Sequence, residues 1–261
     1  MDLDQFKKKL SKKQEKLIIT IEDKISKKKI NFSVSNEKTL WRAQTLLTKE
    51  PITIKWIRNF EKNSVFYDIG ANVGIYTIFA TIIKNISVFS FEPEANNFQS
   101  LMENLIVNNL THQVNAYPIS ISDKSSLTNL FLSRFEKGSS HHMVDESLDH
   151  NLQEKKFSLK QGIYSSSLDE ILYTWNLPCP NYLKIDVDGI ESKIIYGAKK
   201  TLKNDDLKSI LIEININRDE DKDIINILKK NNFTYSQDQV NESERKTGPH
   251  KGYAEYLFIR K

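Results

Sequence analysis

Short apolar runs alternate with amphipathic stretches along most of this chain. VFYDI (65–69) and ISVFSF (86–91) are continuous apolar runs of strand length, and each is followed by apolar residues at helical spacing. The pattern predicts a strand over 65–69, a helix over 73–83, a strand over 86–91, a helix over 95–109 and a strand over 113–121. Further on, NYLKI, SILIEIN and YAEYLFIRK read as strands, with IESKIIYGAKKTL and DKDIINILKKNNF as the helices between them. The charged end of the last strand suits an antiparallel edge. Strands alternating with helices over about 200 residues predict one three-layer α/β unit around a mainly parallel sheet.

The flanks read differently. Residues 1–16 have the look of a charged helix, and 17–34 alternate as a small hairpin would. Residues 39–60 carry helical spacing broken at Pro51, and Trp41 and Trp56 are their expected apolar anchors against the core. Residues 1–60 are therefore expected to form an N-terminal helical and hairpin appendage, and 61–261 the main domain. Residues 133–162 are polar, weakly periodic and contain His and Ser, which suits a functional loop or lid. SSLDEILYTW predicts a short helix capped by Ser167, with Glu170 completing the capping box.

Chemistry concentrates at strand ends. The first strand ends in Asp68 and turns through Gly70 and Gly74, a G-x-x-x-G spacing. Such a turn offers backbone N–H groups and lets a ligand approach where a side chain would block it. The second strand ends in Glu92, about twenty residues on, where an acid accepts hydrogen bonds from both ribose hydroxyls of an adenosine cofactor. The fourth ends in Asp186 and the fifth carries Glu213. Carboxylates gathered in one crevice demand a cation or hydroxyl donors. S-adenosylmethionine, with an ammonium, a sulfonium and a ribose diol, meets that demand. A divalent metal held by Asp186 and Glu213 would meet it too.

Composition narrows the field. The 261 residues suffice for one substantial core, and 39% hydrophobic with 28% charged residues is ordinary for a globular chain. No apolar run reaches the eighteen or so residues of a membrane-spanning helix, and no signal-peptide pattern is present, so a cytoplasmic location is expected. Cys179 is the sole cysteine, which leaves no internal disulfide and no multi-cysteine zinc site. The net charge of +4 arises in residues 1–38, where eleven lysines face six acidic residues. The remainder has no basic face calling for nucleic acid.

DIGANVGIYTIFA, FEPE, SLDEIL and LKIDVDGIESKIIYGAKKTL, in that order, resemble the FkbM family of S-adenosylmethionine-dependent methyltransferases over about residues 39–215. The resemblance implies a Rossmann-like class I methyltransferase fold with a mainly parallel seven-stranded sheet. It also implies O-methylation of a sugar or other small natural-product or glycan hydroxyl. By the same resemblance Asp68, Gly70, Asn72 and Gly74 surround the methionine part of the cofactor, Glu92 takes the ribose, and Asp123 borders the adenine. Asp186 faces the methyl group and the acceptor. GSSHH (138–142) resembles a looser Gly-Ser-x-x-His element, which brings in His142.

Methyl transfer requires alignment of an oxygen with the S–CH₃ bond, exclusion of water and removal of the hydroxyl proton. The candidates for proton acceptor are His142, His141, Asp186 and a metal-centred arrangement on Asp186 and Glu213. Asp188 suits the turn before Gly189. Three alternatives stand beside this reading. An NAD-dependent oxidoreductase lacks its G-x-G-x-x-G here. A non-catalytic binding subunit would have had no need to keep the strand-end acids. A nucleic-acid methyltransferase would want aromatic rings among the N-terminal lysines.

Overall fold

The computed structural model describes residues 2–3, 5, 17–140, 142–144, 159–248 and 251–261. Most of the helix expected within 1–16, and His141, lie outside the described residues. The chain begins with an antiparallel hairpin of β1 (Leu17–Glu22) and β2 (Lys29–Val34). Helix α1 (Glu37–Gln44) follows, where Asn36 and Thr39 form a reciprocal capping box. Helix α2 (Pro51–Arg58) starts on Pro51, whose missing N–H costs nothing at a first turn.

Next come β3 (Val65–Ile69), α3 (Ile75–Lys84), β4 (Ser87–Phe91), α4 (Ala95–Val107) and β5 (Val114–Tyr117). The strands β6 (Ser120–Ser122), β7 (Ser126–Leu132), β8 (Met143–Val144) and β9 (Leu159–Ser167) form a separate sheet in the order β6-β9-β7-β8. The chain then runs through α5 (Leu168–Tyr173), β10 (Tyr182–Ile185), α6 (Glu191–Tyr196), β11 (Ser209–Asn215), α7 (Asp219–Lys230), β12 (Phe233–Thr234), α8 (Gln237–Ser243) and β13 (Tyr253–Arg260). The main sheet has seven strands in the order β12-β13-β11-β10-β3-β4-β5. Its five central and far-side strands are parallel, and β13 runs antiparallel to both neighbours.

Four expectations need correction. The strand expected over 113–121 is two strands, because Pro118 cannot donate to a ladder and the chain leaves the main sheet there. The last strand is not the edge: two-residue β12 covers it. The charged end of β13 is accommodated because the Arg260 guanidinium donates to the carbonyls of Leu202, Asn204 and Leu207. The 133–162 segment is not all loop, since β8 and the start of β9 lie within it; residues 145–158 are outside the described residues. Ser167 does cap α5, accepting from Glu170 N at 3.2 Å, but the Glu170 side chain goes to Ser125 Oγ rather than back to the cap.

Helices and hairpin cover the two faces of the main sheet. On one face Ile69, Leu183, Ile185, Ile194 and Ile210 form the centre of the core. On the other, Ile30 and Phe32 of the hairpin and Leu46 and Ile57 of the helical segment pack with Phe66, Ile78, Val88 and Leu101. Trp56 is 6% exposed, meets Phe60 and Phe66 edge-on, and donates from Nε1 to Ser209 Oγ at 2.8 Å. Trp41 is 49% exposed and is not an anchor. Phe60, stacked on Tyr182 at 3.9 Å, takes that place.

The hairpin is fastened to α2 by a buried carboxylate. Asp23 accepts from Ser26 N and Oγ and from both terminal nitrogens of Arg58. The Arg58 guanidinium holds its carboxyl well below the usual range, against the opposing effect of burial. A depressed carboxyl pKa stabilises the fold above the unfolded value, about 4, and that contribution fades as pH falls below it. Asp23→Ala should lower unfolding free energy by about 2–3 kcal/mol. Urea melts at pH 7 that match the wild type would show the clamp contributes nothing.

Candidate functional site

The order of the main sheet reverses between β3 and β10: the chain proceeds from β3 to β4 and β5 on one side, and from β10 to β11 on the other. Ligands bind open α/β sheets beyond the strand ends at such a switch. A cavity of about 480 Å³ lies there, and Gly70, Asn72, Glu92, His142, Asp186 and Glu213 all line it. These six residues lie as much as 143 positions apart (213 − 70): parallel strands bring the ends of β3, β4, β10 and β11 together, and His142 joins them from beside β8 of the second sheet.

The turn after β3 is shaped by backbone geometry. Gly70 has φ +80°, and a Cβ there would sit 2.0 Å from the Asp186 carbonyl oxygen. No side chain fits between these strand ends. Gly70 N and Ala71 N both donate to Phe91 O, which locks the turn to the end of β4. Gly74 serves packing instead: a Cβ there would meet Leu101 Cδ1 at 2.2 Å, and it does not line the cavity.

Glu92 is buried at the end of β4. Its Oε2 accepts from Asn72 N at 2.8 Å and its Oε1 from Glu94 N at 2.9 Å. Burial pushes its carboxyl up to about 7, partly offset by these two N–H groups. Each oxygen still has a lone pair to offer. The Asn72 side chain turns away, donating to Ser139 O at 2.7 Å, and Asn97 Nδ2 donates to the same carbonyl at 3.0 Å. Gly138 N donates to Asn97 Oδ1, and Arg42 Nε to Gly138 O, both at 2.8 Å. The 136–140 loop is thus pinned by α1, α4 and the β3 turn together.

Asp186 pairs with Lys184 at 2.6 Å. Lys184 is 3% exposed, inside a central strand, with its ammonium 5.1 Å from the Tyr76 ring centre. Burial opposes both charges, yet each holds the other: Lys184, with Lys49 and Arg42, keeps the Asp186 carboxyl well below its usual range. Asp186, Glu50 and Asp68 in turn hold Lys184 above its ordinary value. Glu213 accepts from Arg245 Nη2 at 2.7 Å. Burial, then the neighbouring Asp186, raises the Glu213 carboxyl to about 7, with Arg245 pulling the other way. A carboxylate poised near neutrality is a far better proton acceptor than one held as low as Asp186.

His142 lines the cavity with its ring fixed in one tautomer. Its Nδ1 accepts from Ser133 N–H at 3.3 Å, so the neutral ring carries its proton on Nε2. Nε2 itself is buried from solvent. The His142 backbone N–H goes to Asp188 Oδ2 at 3.2 Å, which brings Asp188 into the lining as well as the turn. Among the described residues no cluster of three or more His, Cys, Asp or Glu could hold a metal ion, and Asp186 and Glu213 each face a cationic side chain.

Besides Gly74, two expected residues stand apart from the cavity. Asp68 is buried beneath the turn, where its Oδ2 accepts from Thr77 Oγ1 at 2.6 Å and burial raises its carboxyl pKa. Asp123 is exposed and accepts from Ser122 Oγ at 3.1 Å; Ile119, Ser120 and Ile121 supply the lining from that segment. The sequence reading expected residues 39–60 against the cofactor side of the core without naming Trp41, Arg42, Lys49 or Glu50 as the residues that enter the cavity wall, and it missed Arg245 from the C-terminal end. It also missed Lys184, although a lysine inside NYLKI signals a buried counter-charge.

A seven-stranded sheet with this order, a crevice at its switch point and an acid at the end of β4 define a Rossmann-like class I methyltransferase. The Methyltransferase FkbM domain matches residues 68–235, and the chain belongs to that family. The hexuronic acid methyltransferase AglP of Haloferax volcanii is 23% identical over 213 residues, covering 82% of this chain and 81% of that protein. The crystal structure of methyltransferase FkbM from Methylobacillus flagellatus KT superposes with a TM-score of 0.52 at 14% identity. That match covers 87% of this chain and 56% of the other, so the chain spans little more than half the length of that relative. Membership sets aside the oxidoreductase alternative. Among the described residues no helix is long and apolar enough to cross a membrane.

Proposed function

We propose that this methyltransferase moves the methyl group of S-adenosylmethionine to a hydroxyl of a sugar. The observation that carries the cofactor is Glu92: a buried carboxylate held by two backbone N–H groups, beside a turn where no side chain fits. Its remaining lone pairs suit a ribose diol, and the cavity volume falls in the range of small-molecule sites. Ile119 and Ile121 are suited to flank a flat base, in place of Asp123. The sulfonium supplies an already activated methyl group, so the protein has only to align the acceptor, keep water out and accept a proton.

The acceptor end is the wall of Asp186, Glu213, Arg245 and His142. Asp186, neutralised by Lys184, is suited to accept a hydrogen bond from an acceptor hydroxyl without taking its proton. Glu213 takes the proton, and His142, whose Nε2 is buried, shapes the wall beside it. A sugar acceptor is supported by this dense polar lining and by the name of the Haloferax relative. The test is incubation with methyl-labelled cofactor and a panel of p-nitrophenyl glycosides and non-sugar alcohols, with products read by mass spectrometry. Label on a sugar oxygen is the expected result. Label only on non-sugar acceptors refutes the sugar, and absence of S-adenosylhomocysteine binding by calorimetry refutes the cofactor.

A further inference from the structure

Among the described residues, Trp41, Phe91 and Tyr253 bring aromatic side chains to the cavity wall, and Trp41 is the exposed one of the three. Phe91 and Tyr253 line the cavity while buried in the fold, whereas Trp41 lines it and is 49% exposed. Leaving an indole in water forgoes a large favourable burial. The cost is avoidable at this position, since α1 buries Thr39 and Ala43 on its inner face and could carry a polar residue at 41.

Trp41 also stands on a rigid mount. Its helix is capped by Asn36, which also donates from Nδ2 to Lys137 O at 2.9 Å. The next residue, Arg42, holds Gly138 O, and Lys38 Nζ donates to Ser139 Oγ at 2.9 Å. The helix and the 136–140 loop therefore keep one geometry, and the ring loses little freedom when a ligand covers it. The same cavity wall carries the charged residues Arg42, Lys49, Glu50 and Asp186, and Arg42 and Lys49 both act on the Asp186 carboxyl.

A flat apolar face bordered by charged donors and acceptors matches the two sides of a pyranose. Its C–H face packs on an aromatic ring while its rim hydroxyls take hydrogen bonds. We propose that Trp41 is the stacking platform for the acceptor sugar, and that the α1–α2 segment, through Arg42 and Glu50, reads its rim hydroxyls. This rests on the sugar reading above and adds where the sugar sits.

The test pairs kinetics with fluorescence on the full chain. With the glycoside that the wild type methylates, Trp41→Ala should raise acceptor KM about tenfold, while Trp41→Phe recovers most of the loss. S-adenosylhomocysteine affinity, measured by calorimetry, should stay within twofold in both variants and so reports an intact fold. Adding the glycoside should quench tryptophan emission in the wild type but not in Trp41→Phe, which retains Trp56 and Trp175. Unchanged KM in Trp41→Ala, or equal quenching in Trp41→Phe, overturns the platform while leaving sugar methylation standing. Methylation confined to non-sugar acceptors in the wild type overturns both.

Discussion

Glu92→Ala is expected to weaken S-adenosylhomocysteine binding by about 2–3 kcal/mol, roughly 30- to 150-fold, because two hydrogen bonds to a charged group disappear. The wild type should also show a pH signature. The free carboxyl titrates near 7 because burial disfavours its charge. Only the ionised form accepts from two hydroxyls at once, so affinity should rise from pH 6 to pH 8. The variant should lose that slope. Calorimetry at the two pH values checks both parts, and a variant that binds as tightly as the wild type ends the assignment of Glu92 to the ribose.

Glu213→Gln should lower turnover by about 10²–10⁴ and leave cofactor affinity near the wild-type value. The amide keeps the shape of the side chain and a carbonyl for Arg245, so the fold has little to lose. In the wild type, kcat/KM should climb as pH rises through about 7, since the base works only when ionised. His142→Ala should cost far less, about tenfold, because it removes part of the cavity wall and not the base. If the histidine variant collapses and the glutamine variant does not, the Ser133–His142 contact must break in the working complex and the imidazole is the base. Activity lost to a chelator and restored by Mg²⁺ would place a metal between Asp186 and Glu213 instead.

The part of the site that could be read along the chain is the part written at strand ends. Gly70, Glu92 and Asp186 each close an apolar run, and parallel pairing must carry such ends to one rim. What could not be read depends on distant pairing. Strands β7 and β9 run from Ser126 opposite Ser165 to Leu132 opposite Leu159, and serines with Gly162 hide their alternation. Because that sheet draws β6 away, Asp123 ends outside the cavity that its neighbour Ile121 still lines. Trp41 and Trp56 are alike in hydropathy, and only the three-dimensional packing sends one to the core and the other to the cavity wall. The tautomer of His142 follows from one backbone N–H, which no residue pattern encodes.

The Lys184–Asp186 pair sets this protein's function against its own stability. Lys184 is buried inside a central strand while Asp186 opens on the crevice, so the strand bears the desolvation of the lysine and the crevice supplies its counter-charge. An apolar residue at 184 would relieve that desolvation but leave Asp186 without its cation, so selection for thermal resistance alone would act on the two positions together. On the proposed role of Asp186, keeping both residues serves the site and not the fold, a distinction that a melting curve would not reveal.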